Sequence, residues 1–124
     1  MRKQGNHTTP TKFITSFKYA FSGIAKVFTS EFNFRFHSVA AIAVIIAGFV
    51  LDITRTEWLF IVLAIGIVLV TEAVNSAIEK LVDLVSPQQQ LLAGWIKDVA
   101  AGAVLIAAIT AAVIGLLVFV PYLV

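Results

Sequence analysis

The stretch Trp58-Leu59-Phe60-Ile61-Val62-Leu63-Ala64-Ile65-Gly66-Ile67-Val68-Leu69-Val70, continued by Thr71-Glu72-Ala73-Val74-Asn75-Ser76-Ala77-Ile78-Glu79-Lys80-Leu81-Val82-Asp83, decides the fold. Its first thirteen residues are apolar without interruption, and the second half continues the same helix. Glu72, Asn75, Ser76, Glu79 and Asp83 stay within roughly 100° of one another on a wheel of about 100° per residue. Three carboxylates and two neutral hydrogen-bonding groups therefore share one face of a helix otherwise built from Ala, Val, Ile and Leu. Such a face should avoid lipid. Ionisable groups at membrane depth are costly and usually look into a bundle interior.

Composition points the same way. The 124 residues leave room for one domain. With 60% hydrophobic residues, 13% charged and a mean hydropathy of +0.98, the chain matches a polytopic membrane protein better than a soluble globule. Six of its nine basic residues (Arg2, Lys3, Lys12, Lys18, Lys26 and Arg35) precede the first long apolar run, with only Glu31 opposing them there. That asymmetry suits a cytosolic segment beside anionic lipid and not a nucleic-acid surface. No cysteine is present, which excludes disulfides and thiolate metal sites. The first thirty residues hold no continuous apolar run, so no cleavable signal peptide is expected.

Residues 1–10 are polar and expected to be frayed. From Thr11 to Thr29, Phe13, Phe17, Phe21, Ile24 and Phe28 recur every three or four positions, with Lys12, Ser16, Tyr19, Ser22 and Lys26 elsewhere on the wheel. This predicts an amphipathic helix in the membrane interface; the alternative is a core-facing helix of a soluble domain. Glu31 falls on the apolar side of that wheel. Either the helix breaks near Ser30 or the carboxylate turns inward. Asn33, Arg35 and His37 alternate with Phe32, Phe34 and Phe36. Arg35 reads as a snorkelling positive-inside anchor, and His37 as an interfacial hydrogen bonder more readily than as a ligand.

Three spans are expected, at about 34–53, 57–85 and 91–120, after a surface-helix region at 1–30. The fold class is thus all-α and integral to the membrane. Asp52 to Glu57 forms a short turn with Trp58 at the level of an aromatic belt, and Ser86-Pro87 breaks the second span. Ala103, Ala107, Ala111 and Gly115 make a ridge of small residues for close packing against another helix. A basic N-terminus predicts N-in topology, which gathers Glu31, Glu79, Asp83, Lys97 and Asp98 at the cytosolic interface, with Glu72 about 10 Å deeper than Glu79.

Carboxylates, lysines and a cover helix at that interface suit metal-dependent chemistry on an anionic, water-borne ligand. Mg²⁺ prefers oxygen ligands, and phosphoryl transfer needs a cation, a basic group near the phosphates and a positioner for the attacking hydroxyl. The seven glycines lie far apart, which excludes a P-loop, and serine-hydrolase and zinc signatures are missing. Two non-enzymatic readings stay open on the residues alone. One is a proton or cation path along the stripe, which the ionisable-free outer halves of the spans disfavour. The other is an assembly role, which leaves Glu72 unexplained.

The segment Glu72-Ala-Val-Asn75-Ser76-Ala77-Ile78-Glu79-Lys-Leu-Val-Asp83, the later Lys97-Asp98-Val-Ala-Ala-Gly102, and the upstream Gly23…Glu31-x-Asn33-x-Arg35-x-His37 resemble the small prokaryotic lipid kinases that include diacylglycerol kinase and undecaprenol kinase. The resemblance spans about residues 12–120. It implies a homotrimer of three-span chains in the bacterial inner membrane, active sites shared between subunits, and Mg-ATP as phosphate donor. By the same resemblance Glu72 is the general base, Asn75 lies beside the reacting groups, and Glu31 and Glu79 hold Mg²⁺. Lys12, Tyr19, Gln88, Lys97 and Asp98 join Glu31 and Glu79 as nucleotide-site residues. Lys12 replaces a frequent arginine, turning a bidentate contact into a point charge. The loop Ser86-Pro87-Gln88 departs from the glycine- and acid-containing loop of the enterobacterial type. The Asn33/Arg35/His37 pattern resembles the undecaprenol-kinase branch, which favours a long polyprenol over diacylglycerol as acceptor.

Overall fold

The computed structural model describes residues 9–88 and 90–124; of the segment 1–10 expected to be frayed, residues 1–8 lie outside them, while Thr9 and Pro10 already belong to the first helix. Four helices follow in order: α1 (Thr9–Ser30), α2 (Phe32–Val50), α3 (Arg55–Val85) and α4 (Leu91–Leu123). The last three are long and apolar enough to cross a membrane. At 1.5 Å per residue α2 is about 28 Å long and matches a hydrocarbon core, whereas α3 and α4, at about 46 and 50 Å, must project beyond it. Among the described residues α3 touches every other helix, and α2 and α4 do not meet.

The outer faces of these helices are greasy. Leu59, Phe60, Leu63, Leu105, Ile106, Leu116 and Leu117 are all exposed. In water each such side chain would forgo about 1.5–3 kcal/mol of burial; against lipid it forgoes nothing. The chain is therefore an all-helical integral membrane protein. Its hydroxyls at membrane depth are satisfied locally, with Ser38 donating to the Phe34 carbonyl, Thr71 to Ile67 and Thr110 to Ile106. The exposed Phe13, Phe17, Phe21 and Phe28 give α1 an open apolar side, as an interfacial helix requires.

The α1–α2 junction resolves the two options for Glu31. It alone leaves helical geometry (φ −114°, ψ 113°), and its amide still donates to the Val27 carbonyl at 2.9 Å. The helix breaks there, and Glu31 also lies half-buried on the groove between α1 and α3. The Arg35 side chain turns back towards α1. Its Nη1 reaches back to donate to the carbonyls of Phe28 and Thr29, both at 2.9 Å. These are orphan acceptors at the α1 C-terminus, where a cation also complements the helix dipole.

At the other end of α2 the turn is tighter than a loop reading suggests. Ile53 N–H donates to the Gly48 carbonyl and Asp52 N–H to Phe49, while Asp52 sits in the left-handed region (φ 52°). This is a Schellman ending with aspartate where glycine is usual. The expected span to residue 53 therefore stops at Val50. The next helix starts at once on a capping box, in which Glu57 N–H donates to Thr54 Oγ1 and Thr54 N–H to Glu57 Oε1. Trp58 lies across Gly48 and stacks at 4.9 Å on Phe49, so it packs the hairpin where a headgroup anchor was expected.

The buried apolar residues of α3 are Ile61, Ala64, Val68 and Val82 and those of α4 are Ala100, Ala107 and Val118, and Ile61 and Val118 share one core cluster. Only part of the small-residue ridge takes part. Ala107 is buried and Ala111 and Gly115 are half-buried, but Ala103 is exposed and a Cβ on Gly115 would meet nothing within 4 Å. The expected end of α4 at residue 120 is also passed. Pro121 sits in the final turn, where a missing N–H costs one terminal bond, and the helix runs to Leu123.

A Cβ on Gly48 would lie 2.6 Å from the Trp58 ring. Gly48→Ala should lower stability by about 1–3 kcal/mol through overpacking. Thermal unfolding in detergent micelles should show the loss, and Trp58→Leu should absorb much of it in a double-mutant cycle.

Candidate functional site

Glu72 is the one buried charged residue among those described, only 3% exposed. The side chain that meets it comes from α2. Nε2 of His37 lies 3.2 Å from Oε1 of Glu72. The register explains the meeting. Phe34, His37, Ala41, Val44 and Gly48 fall at spacings of three and four, and all five are buried or half-buried. They are the face that α2 turns inward, with His37 near its inner end. Besides His37, the charged groups that act on Glu72 are Glu31 and Glu79. Three carboxylates and an imidazole from the α1–α2 junction, α2 and α3 thus share one neighbourhood.

One turn further along α3, Asn75 Nδ2 donates a long, 3.4 Å hydrogen bond to Glu79 Oε1. Asn75 Oδ1 is buried and has no partner. An unsatisfied buried acceptor costs about 1–3 kcal/mol. It marks a place where a donor or a cation would be welcome. Among the described residues no three His, Cys, Asp or Glu side chains stand close enough to hold a metal ion by themselves. Glu31 and Glu79, which both act on Glu72, carry carboxylate oxygens of the kind a hard divalent cation takes.

Two cavities flank the stripe. A largely apolar groove of about 790 Å³ runs between α1 and α3, lined by Gly23, Ile24, Val27, Phe34, Leu69 and Ala73, with Lys26, Ser30, Glu31, Ser76 and Lys80 as its polar members. A cleft of about 660 Å³ lies where α3 turns into α4. Asp83, Ser86, Gln88, Lys97 and Asp98 give it a polar wall, and Trp95 is its aromatic member. The groove face and the acidic face of α3 are neighbours on the helix wheel and meet at Ser76. Asp83, one end of the stripe, opens on the cleft. About 10 Å of helix separates Ser76 from Asp83.

The residues expected at the site are thus only partly gathered. Glu31, Glu72, Asn75 and Glu79 come together along α3. Gln88, Lys97 and Asp98 line the cleft. Lys12 and Tyr19 stand on the exposed surface of α1 and line neither cavity. Sequence reasoning did not foresee two contacts. His37 was not tied to Glu72, although the spacing from Phe34 to Gly48 carries that signal. Asp83 is bound rather than merely solvated, since Lys97 Nζ lies 2.7 Å from its Oδ1 across the interhelix turn. No single-helix pattern announces that pair. Both partners are substantially exposed, at 40% and 61% of their side chains, so solvent screens the bridge and it adds little to stability. Asp83→Asn should therefore leave unfolding in detergent almost unchanged, while leaving Lys97 unclaimed for an anion.

Comparison with known proteins adds independent findings. The profile of the prokaryotic diacylglycerol kinase family matches residues 18–119. An undecaprenol kinase of Bacillus subtilis (strain 168) is 44% identical over 112 residues, which cover 90% of this chain and 91% of that protein. A diacylglycerol kinase of Synechocystis sp. is 37% identical over 116 residues, covering 93% of this chain and 66% of its own length. The diacylglycerol kinase of Escherichia coli (strain K12) is 31% identical over 109 residues, or 87% of this chain and 89% of that protein.

Proposed function

This chain belongs to the prokaryotic diacylglycerol kinase family, and on that premise we propose that it is a lipid kinase moving the γ-phosphoryl group of Mg-ATP to the hydroxyl of a membrane lipid. The observation that supports the reading is that α3, which carries the acidic stripe, also lines an apolar groove at Ser76 and a polar cleft at Asp83. A lipid tail suits the groove, whose wall is made of Ile24, Val27, Phe34 and Leu69. A polyphosphate suits the cleft, where Lys97 supplies positive charge. The two reactants would meet on the shared helix.

In the reaction the lipid oxygen bonds to the γ-phosphorus as the bond to the β-phosphate oxygen breaks, giving lipid phosphate and ADP. Glu72 takes the hydroxyl proton. Its burial next to the groove keeps competing water away from that carboxylate. Asn75 offers its unpartnered Oδ1 to a donor beside the reacting groups. Mg²⁺ held by Glu31 and Glu79 would neutralise charge on the phosphate oxygens. Lys97 screens the transferring phosphates once it leaves Asp83, and Asp98 and Gln88 edge the same cleft. Lys12 and Tyr19 complete the nucleotide site from α1, either by a shift of that helix or from a second copy of the chain.

The basic N-terminal segment supports N-in placement in a bacterial inner membrane, with the site at the cytosolic face. The unpaired apolar faces of α2 and α4 support a homotrimer in which neighbouring chains cover them. The undecaprenol kinase relative and the Asn33/Arg35/His37 pattern favour undecaprenol as acceptor over diacylglycerol.

The test is phosphate transfer from labelled ATP in mixed micelles, with undecaprenol, diacylglycerol and ceramide offered in parallel. Transfer to undecaprenol is expected to dominate, and no transfer to any lipid would refute the proposal. Glu72→Gln should keep helical content and lower turnover by about 10²–10⁴. Glu31→Gln and Glu79→Gln should move the Mg²⁺ titration to higher concentration. Unchanged titration curves would remove them from the metal site.

A further inference from the structure

We infer that His37 is the positioning residue of the catalytic carboxylate, fixing Glu72 so that one oxygen is engaged and the other is left for the lipid hydroxyl. The inference rests on the kinase reading above and on three features of the structure. Nε2 of His37 is 3.2 Å from Oε1 of Glu72, within reach of a donated N–H. Among the described residues this ion-pair contact is the one polar side-chain contact found at the Glu72 carboxylate, and it falls on Oε1. The imidazole is itself held. It sits on the inward face of α2, one turn beyond the buried Phe34, and Phe36 packs against it edge-on at 5.5 Å and 82°.

The chemistry gives that contact a purpose. A glutamate side chain has three rotatable bonds, and a general base works only within hydrogen-bond reach of its proton. In water a mobile carboxylate would sample many directions. Buried at 3% exposure, Glu72 is largely shut off from solvent, and the Asn75 amide on its own helix donates to Glu79 instead. An N–H from a neighbouring helix selects one rotamer and presents Oε2 consistently. Misplacement of a reacting group by about 1 Å can cost on the order of 10²-fold in rate. The imidazole side chain is about one-quarter exposed while Glu72 is almost closed off, so the contact also plugs the route to the carboxylate from the α2 side.

A plain helix-to-helix contact would have the same geometry, and kinetics separate the two roles. His37→Leu fills a similar volume with no donor, while His37→Gln places an amide N–H near the position of Nε2. For a positioning residue, His37→Leu lowers kcat by about 10- to 100-fold with KM for ATP little changed, and His37→Gln regains most of that loss. In a Glu72→Gln background His37→Leu costs nothing further, because no base remains to be aimed. Circular dichroism in micelles monitors folding. If His37→Leu loses helical content, the His37→Gln rate and the Glu72→Gln/His37→Gln pair carry the same comparison.

Near-normal kcat in a folded His37→Leu variant overturns the inference, as does an equal loss in both backgrounds. A Glu72→Gln enzyme with ordinary turnover would be a different failure, removing the base itself and with it any need to position one. An inactive Glu72→Gln beside an active His37→Leu leaves the kinase reading standing and removes only the role of His37.

Discussion

A carboxylate inside an apolar helix bundle must be compensated, and much of this structure follows from that constraint. Insertion of an acidic residue at the centre of a membrane helix costs about 2.5–3.5 kcal/mol on translocon-based scales. Glu72 meets this demand with His37 from the preceding span. That contact fixes how deep α2 stands relative to α3. With Trp58 seated on Gly48 at the opposite end, the two helices are pinned at both ends and free to differ only between them. The hairpin has little room to slide.

The interior is otherwise spare. One helix, α3, serves as the common wall for all the others. Its faces divide the work: Ile61, Ala64 and Val68 support the packing, Leu69, Ala73 and Ala77 form the apolar groove, and the stripe from Glu72 to Asp83 holds the polar groups. A helix of 31 residues can do this because its length exceeds the bilayer core. The surplus turns bring Glu79 and Asp83 towards the headgroup level, where charge is tolerable, without ending the helix that carries Glu72.

The sequence made the architecture and the acidic stripe legible, because both are periodic. A long apolar run followed by polar residues at helical spacing has few other solutions. What it hid were contacts between elements. The alternation of Phe32, Phe34 and Phe36 with Asn33, Arg35 and His37 has a period of two, and it drew the eye away from the heptad spacing of Phe34, His37, Ala41, Val44 and Gly48 that faces α3. Arg35 looked like a headgroup anchor because its type and depth fit one; only the broken backbone at Glu31 creates the carbonyls it caps. Asp52 gave no warning of a left-handed backbone, since glycine is the usual signal there. The Asp83–Lys97 pair bridges two helices through a turn, beyond the reach of any single-helix pattern. Lys12 and Tyr19 stand on the exposed surface of α1, apart from both cavities.

The layout also bears on how the protein is made. Among the described residues the backbones of α2 and α4 stay apart, and that of α1 comes close only to α2 and α3. During synthesis His37 and the Glu31 elbow leave the ribosome well before Glu72, and until α3 is inserted they have nothing to hold. Once α3 enters, the polar centre closes at a stroke, with Glu72 shielded by an imidazole already waiting in the bilayer. α4 then adds its long seam afterwards, at translation speeds of about 5–20 residues per second. The chemically delicate part of the chain is thus sheltered first, and the helix with the highest hydropathy arrives last to lock it.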